Sequence, residues 1–202
     1  MDVLEAMETC IAMRYLKPDP VPRETLERLV YAATRASNPG NSQGWEFVVI
    51  DDADIKARVG EAVRTGMAPA FRNKPEGLDD GAARMYRGAE HLALHFAEVP
   101  AWILGGARKI YPPHAPRDEF MYSTIYPAAQ NLVVAARSLG IGTAFTTFQW
   151  VAEPVLRELL HIPDEVHLCV LIAVGYPELR FTRVKRRPLE EVLHWNGWPK
   201  RT

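Results

Sequence analysis

An α+β sandwich, with helices packed on a small sheet, is the fold predicted by this sequence of 202 residues. Three observations predict it. Segments with apolar residues at helical spacing outnumber the strand-like runs, and the two kinds do not alternate strictly as a doubly wound sheet requires. The apolar run Leu168–Val174 reads as one buried central strand. At about 150 residues per domain the chain is short for two, so one domain over 1–202 is expected, with a polar extension from about residue 176.

Helical spacing first covers Val3–Ile11 and then Glu24–Ala36, and the rigid stretch Pro18–Pro22 between them makes a stiff corner. Thr34–Gly44, rich in Ser, Asn and Gly, is a loop, and Trp45–Ile50 is a strand stopped by Asp51 and Asp52. A short helix follows over Asp54–Arg64. Met67–Gly81 reads as irregular, a candidate lid, before a helix over Ala82–Glu98 and an apolar strand over Ala101–Leu104. Beyond the loop of Pro112, Pro113 and Pro116, residues from Met121 and Ile125 to Ala136 and Leu139 line one stripe of a long helix. Pro127 is expected to kink it and Gly140 to stop it. A strand over Thr143–Phe148, a helix over Glu153–Leu160, the strand Leu168–Val174 and a short helical piece near Leu189–Leu193 complete the order.

Composition excludes several classes of function. With 48% hydrophobic and 24% charged residues the chain has enough apolar surface for a core and too little charge excess for disorder. Lys and Arg number 24 against 25 Asp and Glu, a formal net charge of -1 that gives no overall field for holding nucleic acid or an anionic membrane, so neither partner is expected. The acidic start Met1–Glu5 lacks the basic and apolar regions of a signal peptide, and the longest apolar stretch, Leu168–Tyr176, is far shorter than the ~20 residues that cross a bilayer. Cys10 and Cys169 have no CxxC partner and read as core residues in a reducing, cytoplasmic setting.

Four local patterns carry possible chemistry. Gly40–Gly44 matches the GxSxG elbow of serine hydrolases, with His194 and Asp164 as candidate partners for Ser42. An elbow needs a strand before the serine and a helix after it, and here the order is reversed. His91 and His95, four apart on one helix, have no HExxH and no third ligand, so no metal is expected. Gly140-Ile141-Gly142 meets Phe145 where GxGxxG needs its third glycine. Finally, Arg180, Arg183, Lys185, Arg186 and Arg187 place five cations in eight residues, which reads either as a solvated tail or as a phosphate grip aimed by the following Pro188.

Longer stretches decide more. Met13-Arg14 with Lys17-Pro18-Asp19-Pro20-Val21-Pro22, then Ala33 through Val49 around Asn38-Pro39-Gly40-Asn41-Ser42-Gln43-Gly44-Trp45, form one landmark. Gln130-Asn131-Leu132 leading into Ala136 through Thr143, then Gly175-Tyr176-Pro177, then Lys185-Arg186-Arg187-Pro188-Leu189-Glu190-Glu191, form three more. In this order, and across nearly the whole chain, they resemble the nitroreductase family of FMN-dependent oxidoreductases. The resemblance implies a central, mostly antiparallel sheet flanked by helices and an intertwined homodimer, with one non-covalent FMN in each of two grooves lined by both subunits. It places Met13 and Arg14 at the flavin, Arg14 facing the phosphate or pyrimidine edge. It places Asn41 and Gln43 near the ring and ribityl chain, Asn38 as a contribution from the partner chain, and Lys185 and Arg187 on the phosphate. The backbone at Thr146, Thr147 and Phe148 would donate toward the flavin N5 and O4.

Such a site needs no catalytic side chain. The flavin carries the hydride chemistry, and the protein binds, orients and electrostatically tunes it. The expected function is therefore a cytoplasmic oxidoreductase that uses NADH or NADPH to reduce nitroaromatics, quinones or a related small acceptor by a ping-pong cycle. One departure prompts a second reading. Where relatives carry one or two basic residues just before Met13, this chain has Cys10, Ile11 and Ala12, which suits a flavin-binding carrier or sensor without turnover. A serine hydrolase at Ser42 is the remote third.

Overall fold

A computed structural model describes residues 1–198; positions 199–202 at the end of the expected extension lie outside the described residues. Helices α1 (Val3–Thr9) and α2 (Arg23–Ala33) lead into β1 (Trp45–Ile50). Then come α3 (Ala53–Arg72), α4 (Asp80–Leu94), β2 (Ala101–Arg108), α5 (Asp118–Ser138), β3 (Gly142–Thr146), α6 (Gln149–Leu160) and β4 (Val166–Gly175). The strands form one sheet in the order β1-β2-β4-β3, every neighbouring pair antiparallel. This is the α+β sandwich expected from the sequence.

The sheet is buried on both faces, which explains the unbroken apolar run of β4. Leu168, Leu171 and Ala173 face a core shared with α3, α4 and α6, whereas Val170, Ile172 and Val174 face α2 and α5. Each such fully buried aliphatic side chain contributes on the order of 1.5–3 kcal/mol. The two-residue alternation slips once. Between Gly105 and Gly106 the β2–β4 register skips Cys169, which turns its side chain to the α5 side next to Val170 as a β-bulge. Burial pushes the Cys169 thiol up to about 11, so it stays protonated as a packing residue.

Several elements differ from the sequence expectation for identifiable reasons. The segment Met67–Arg72 is not irregular: α3 continues through it, because Val59, Val63, Met67 and Phe71 repeat every four residues on the face that meets the core. Gly66 belongs to that packing, since a Cβ there would lie 2.6 Å from Val151 of α6. The irregular piece shrinks to the turn before Asp79, whose side chain caps α4 by accepting from the Ala82 N–H at 2.7 Å. Helix α5 runs through Pro127 without a break and ends at Gly140 with φ 74°, where Ile141 donates back to the Ala136 carbonyl at 2.9 Å. Helix α6 begins at Gln149, four residues before the expected start, with Pro154 inside it.

A row of aromatics stays outside both cores. Tyr122 stacks on Tyr126 at 5.6 Å and Tyr126 meets Phe145 of β3 at 6.1 Å. These three and Trp150 at the start of α6 are all exposed. Farther on, the described residues beyond Tyr176 form no long helix or strand, and Leu189, Val192, Leu193, Trp195 and Trp198 are exposed to solvent. Among the described residues no helix is long and apolar enough to cross a membrane.

Candidate functional site

The chain's early and late segments are stitched together on the open side of β3. Met13 donates to the Thr143 carbonyl at 2.8 Å, and Ala12 pairs with Thr143 as a parallel bridge. Lys17 donates to Tyr176 at 2.8 Å, Glu178 to Tyr15 at 3.0 Å and Val184 to Glu8 at 2.7 Å. Arg137 near the end of α5 fastens both segments, donating to Thr9 Oγ1 at 2.8 Å while its guanidinium lies 4.1 Å over the Phe181 ring. Nothing in the sequence reading singled out Arg137 for that role, because its partners come from distant parts of the chain.

These stitches enclose a cleft of about 550 Å³ in which residues 10–14 form one wall and residues 182–186 another. Arg14, Arg84, Arg183, Lys185 and Arg186 all line it. Of the five, only Arg183 is ion-paired among the described residues, to Glu8 at 3.4 Å. Cations converging without matching carboxylates repel one another and favour an anion between them, and a phosphate suits guanidinium donors best. Burial lowers the Arg14 pKa, yet a guanidinium starting so high keeps its charge at neutral pH.

The remaining predicted site residues divide into anchors and exposed groups. Met13 is 1% exposed, so its side chain is an anchor whose effect is to set Arg14 at the cleft. Arg187 is exposed just past Arg186. In the loop before β1, Gly40, Asn41 and Gln43 all adopt positive φ, near 50–60°, an unfavourable conformation for the latter two. Asn38 holds the loop there by accepting from the Gln43 N–H at 2.8 Å, which leaves the side chains of Asn41 and Gln43 exposed. After β3, Thr146 donates to the Leu171 carbonyl at 2.6 Å and accepts from the Phe148 N–H at 3.3 Å, while Thr147 is exposed. Phe148 is buried edge-on against Phe96. Next to it the fully buried Gln149, absent from the sequence reading, donates to the Cys169 carbonyl that the bulge leaves out of the ladder, at 2.9 Å. This turn is therefore rigidly mounted.

The competing local patterns find no support in the geometry. Ser42 lies between a 3₁₀ turn and β1, and among the described residues no histidine or carboxylate hydrogen-bonds to its hydroxyl. His194 stacks against Trp198 in the extension. His91 and His95 stack with Tyr15 as a three-ring column, and no group of three or more His, Cys, Asp or Glu stands close enough to hold a metal among the described residues. Desolvation, then the neighbouring His95, lowers the His91 pKa, so this column is neutral at His91 at pH 7.

Residues 10–176, most of the chain, match the sequence profile of the Nitroreductase family. The chain belongs to that family. It is 23% identical over 188 residues to iodotyrosine deiodinase of Danio rerio, covering 90% of this chain and 63% of that relative. It is 27% identical over 191 residues to 5,6-dimethylbenzimidazole synthase of Rhodospirillum rubrum, covering 94% and 85%. The chain thus spans less than two thirds of the deiodinase. A solved iodotyrosine deiodinase structure, bound to FMN and 3-iodo-L-tyrosine, superposes with a TM-score of 0.77 at 19% identity, covering 98% of this chain and 100% of that one. This likeness establishes the shared sandwich.

Proposed function

We propose that this nitroreductase-family chain is an FMN-dependent oxidoreductase, working as a homodimer, that takes a hydride from NADH or NADPH and passes electrons to a small acceptor. The observation that carries the reading is the cleft in which Arg14 and Lys185, from opposite ends of the sequence, meet without paired carboxylates. That donor set fits the phosphate of FMN. In this reading Lys185 and Arg187 hold the phosphate, and Arg14 serves the phosphate or the pyrimidine edge. Asn41 and Gln43 face the ring and ribityl chain, Asn38 reaches the site of the partner chain, and the turn of Thr146, Thr147 and Phe148 donates toward the flavin edge through its exposed residue Thr147, the Phe148 N–H being held by Thr146 Oγ1. The bound flavin supplies the hydride chemistry, and the protein supplies fixed donors where negative charge develops.

The deciding experiment follows the colour of FMN-loaded protein. Bleaching on addition of NADH or NADPH, then recovery with a nitroaromatic, a quinone or 3-iodo-L-tyrosine, is the expected result, and the acceptor that restores colour fastest identifies the substrate class. Flavin that stays oxidised with both nicotinamides would support a carrier or sensor instead.

The same loop separates this reading from a hydrolase. Asn41→Ala is expected to lower flavin affinity or reduction rate by about 5- to 100-fold, the loss of one good hydrogen bond worth ~1–3 kcal/mol, because its amide offers both donors and an acceptor. Ser42→Ala is expected to leave both within twofold or so, since the hydroxyl has no base to activate it. Labelling of Ser42 by a fluorophosphonate probe would reverse the assignment.

A further inference from the structure

Two charges of the cation cleft, Arg84 and Arg183, come from outside the family landmarks, and of the two only Arg183 is ion-paired among the described residues, to Glu8. Cys10, Ile11 and Ala12 bring no charge to their wall, yet Arg84, from the second turn of α4, lines the same cleft. We propose that Arg84 is a phosphate-binding residue of the flavin site, supplying the positive charge that positions 10–12 lack; the proposal rests on the FMN reading above.

Three features place Arg84 there. Asp79 fixes where α4 starts, and therefore which face of the helix meets the N-terminal segment. Gly88, one turn beyond Arg84 on the same face, packs so closely on Arg14 that a Cβ would lie 3.1 Å from the Arg14 Cδ. The helix face carrying Arg84 is thus the face applied to Arg14. Moreover, Asp80 stands four residues before Arg84, the spacing at which an intrahelical ion pair forms readily, and among the described residues no ion pair joins them. Arg84 is exposed, uncompensated by its own helix, and lines the same cleft as the uncharged positions 10–12.

Titration of the apo-protein with FMN and with riboflavin, followed by flavin fluorescence, tests the role, because the two ligands differ only in the phosphate. Arg84→Ala is expected to weaken FMN binding about tenfold or more while changing riboflavin binding less than twofold, and to make FMN affinity less dependent on salt. Arg84→Lys is expected to recover most of the FMN affinity. Unchanged FMN affinity in Arg84→Ala would overturn the proposal, as would an equal loss for both flavins. If the wild-type protein binds neither flavin, the FMN reading itself fails, a result separable from the first two because it needs no variant.

Discussion

Changing Lys185 and Arg187 together to alanine is expected to weaken FMN binding by well over tenfold. Charge-assisted hydrogen bonds to a phosphate contribute roughly 1.5–3 kcal/mol each, and two of them lost together correspond to about 3–6 kcal/mol if they acted independently. The realised loss is smaller, because both side chains are exposed in the free protein and Arg14 and Arg84 remain at the cleft. Neither residue packs in a core, so the folding transition is expected to stay where it is. Calorimetric titration of the apo-protein with FMN at two salt concentrations measures both the loss and its electrostatic origin. An unchanged affinity would make residues 180–187 a solvated tail and move the anion site elsewhere.

The second large effect concerns assembly. Tyr122, Tyr126 and Phe145 form an exposed aromatic row that a lone subunit would keep in water, and patches of that kind mark protein contacts. The wild-type protein is expected to sediment as a dimer at micromolar concentration. Tyr126→Asp with Phe145→Asp is expected to raise the dimer dissociation constant at least 100-fold. In a two-fold interface each change occurs twice, and each ring forfeits about 1.5–3 kcal/mol of burial before any cost of the new charges. Flavin affinity is expected to fall in parallel if both subunits line each groove. A well-folded wild-type monomer, or a double variant as dimeric as the parent, would contradict this.

How much of this was legible in the sequence depended on how local the signal was. β1 and the central strand were readable because Trp45–Ile50 is rich in β-branched and aromatic residues and Leu168–Val174 is an unbroken apolar run. The end of α5 was equally plain, since Gly140 supplies the left-handed residue a helix stop uses. The second half of α3 was hidden by Gly66 and Pro69, two residues that mean loop locally and tight packing or tolerance in context. In the site, Arg14 and Lys185 could be nominated from their motifs. Arg84, Arg137 and Gln149 could not, because each acts only through partners that folding brings from elsewhere: the cleft walls, Thr9 with Phe181, and the bulged carbonyl of Cys169. The bulge itself carries no sequence signature beyond a pair of glycines on the opposite strand.

The backbone stitches between residues 8–17 and residues 176–184 also set an order of events during synthesis. All four strands and both helical layers are complete once residue 175 has been made, so the sandwich has its whole core before the second cleft wall exists. Until residue 186 has emerged, the first wall has only Arg84 beside it and none of the cations of residues 183–186. In the FMN reading proposed above, capture of the phosphate is therefore the closing act of biogenesis. A chain cut short between these two points, by a stop codon or a protease, is expected to keep its sheet and helices and to pass folding checks as an empty shell.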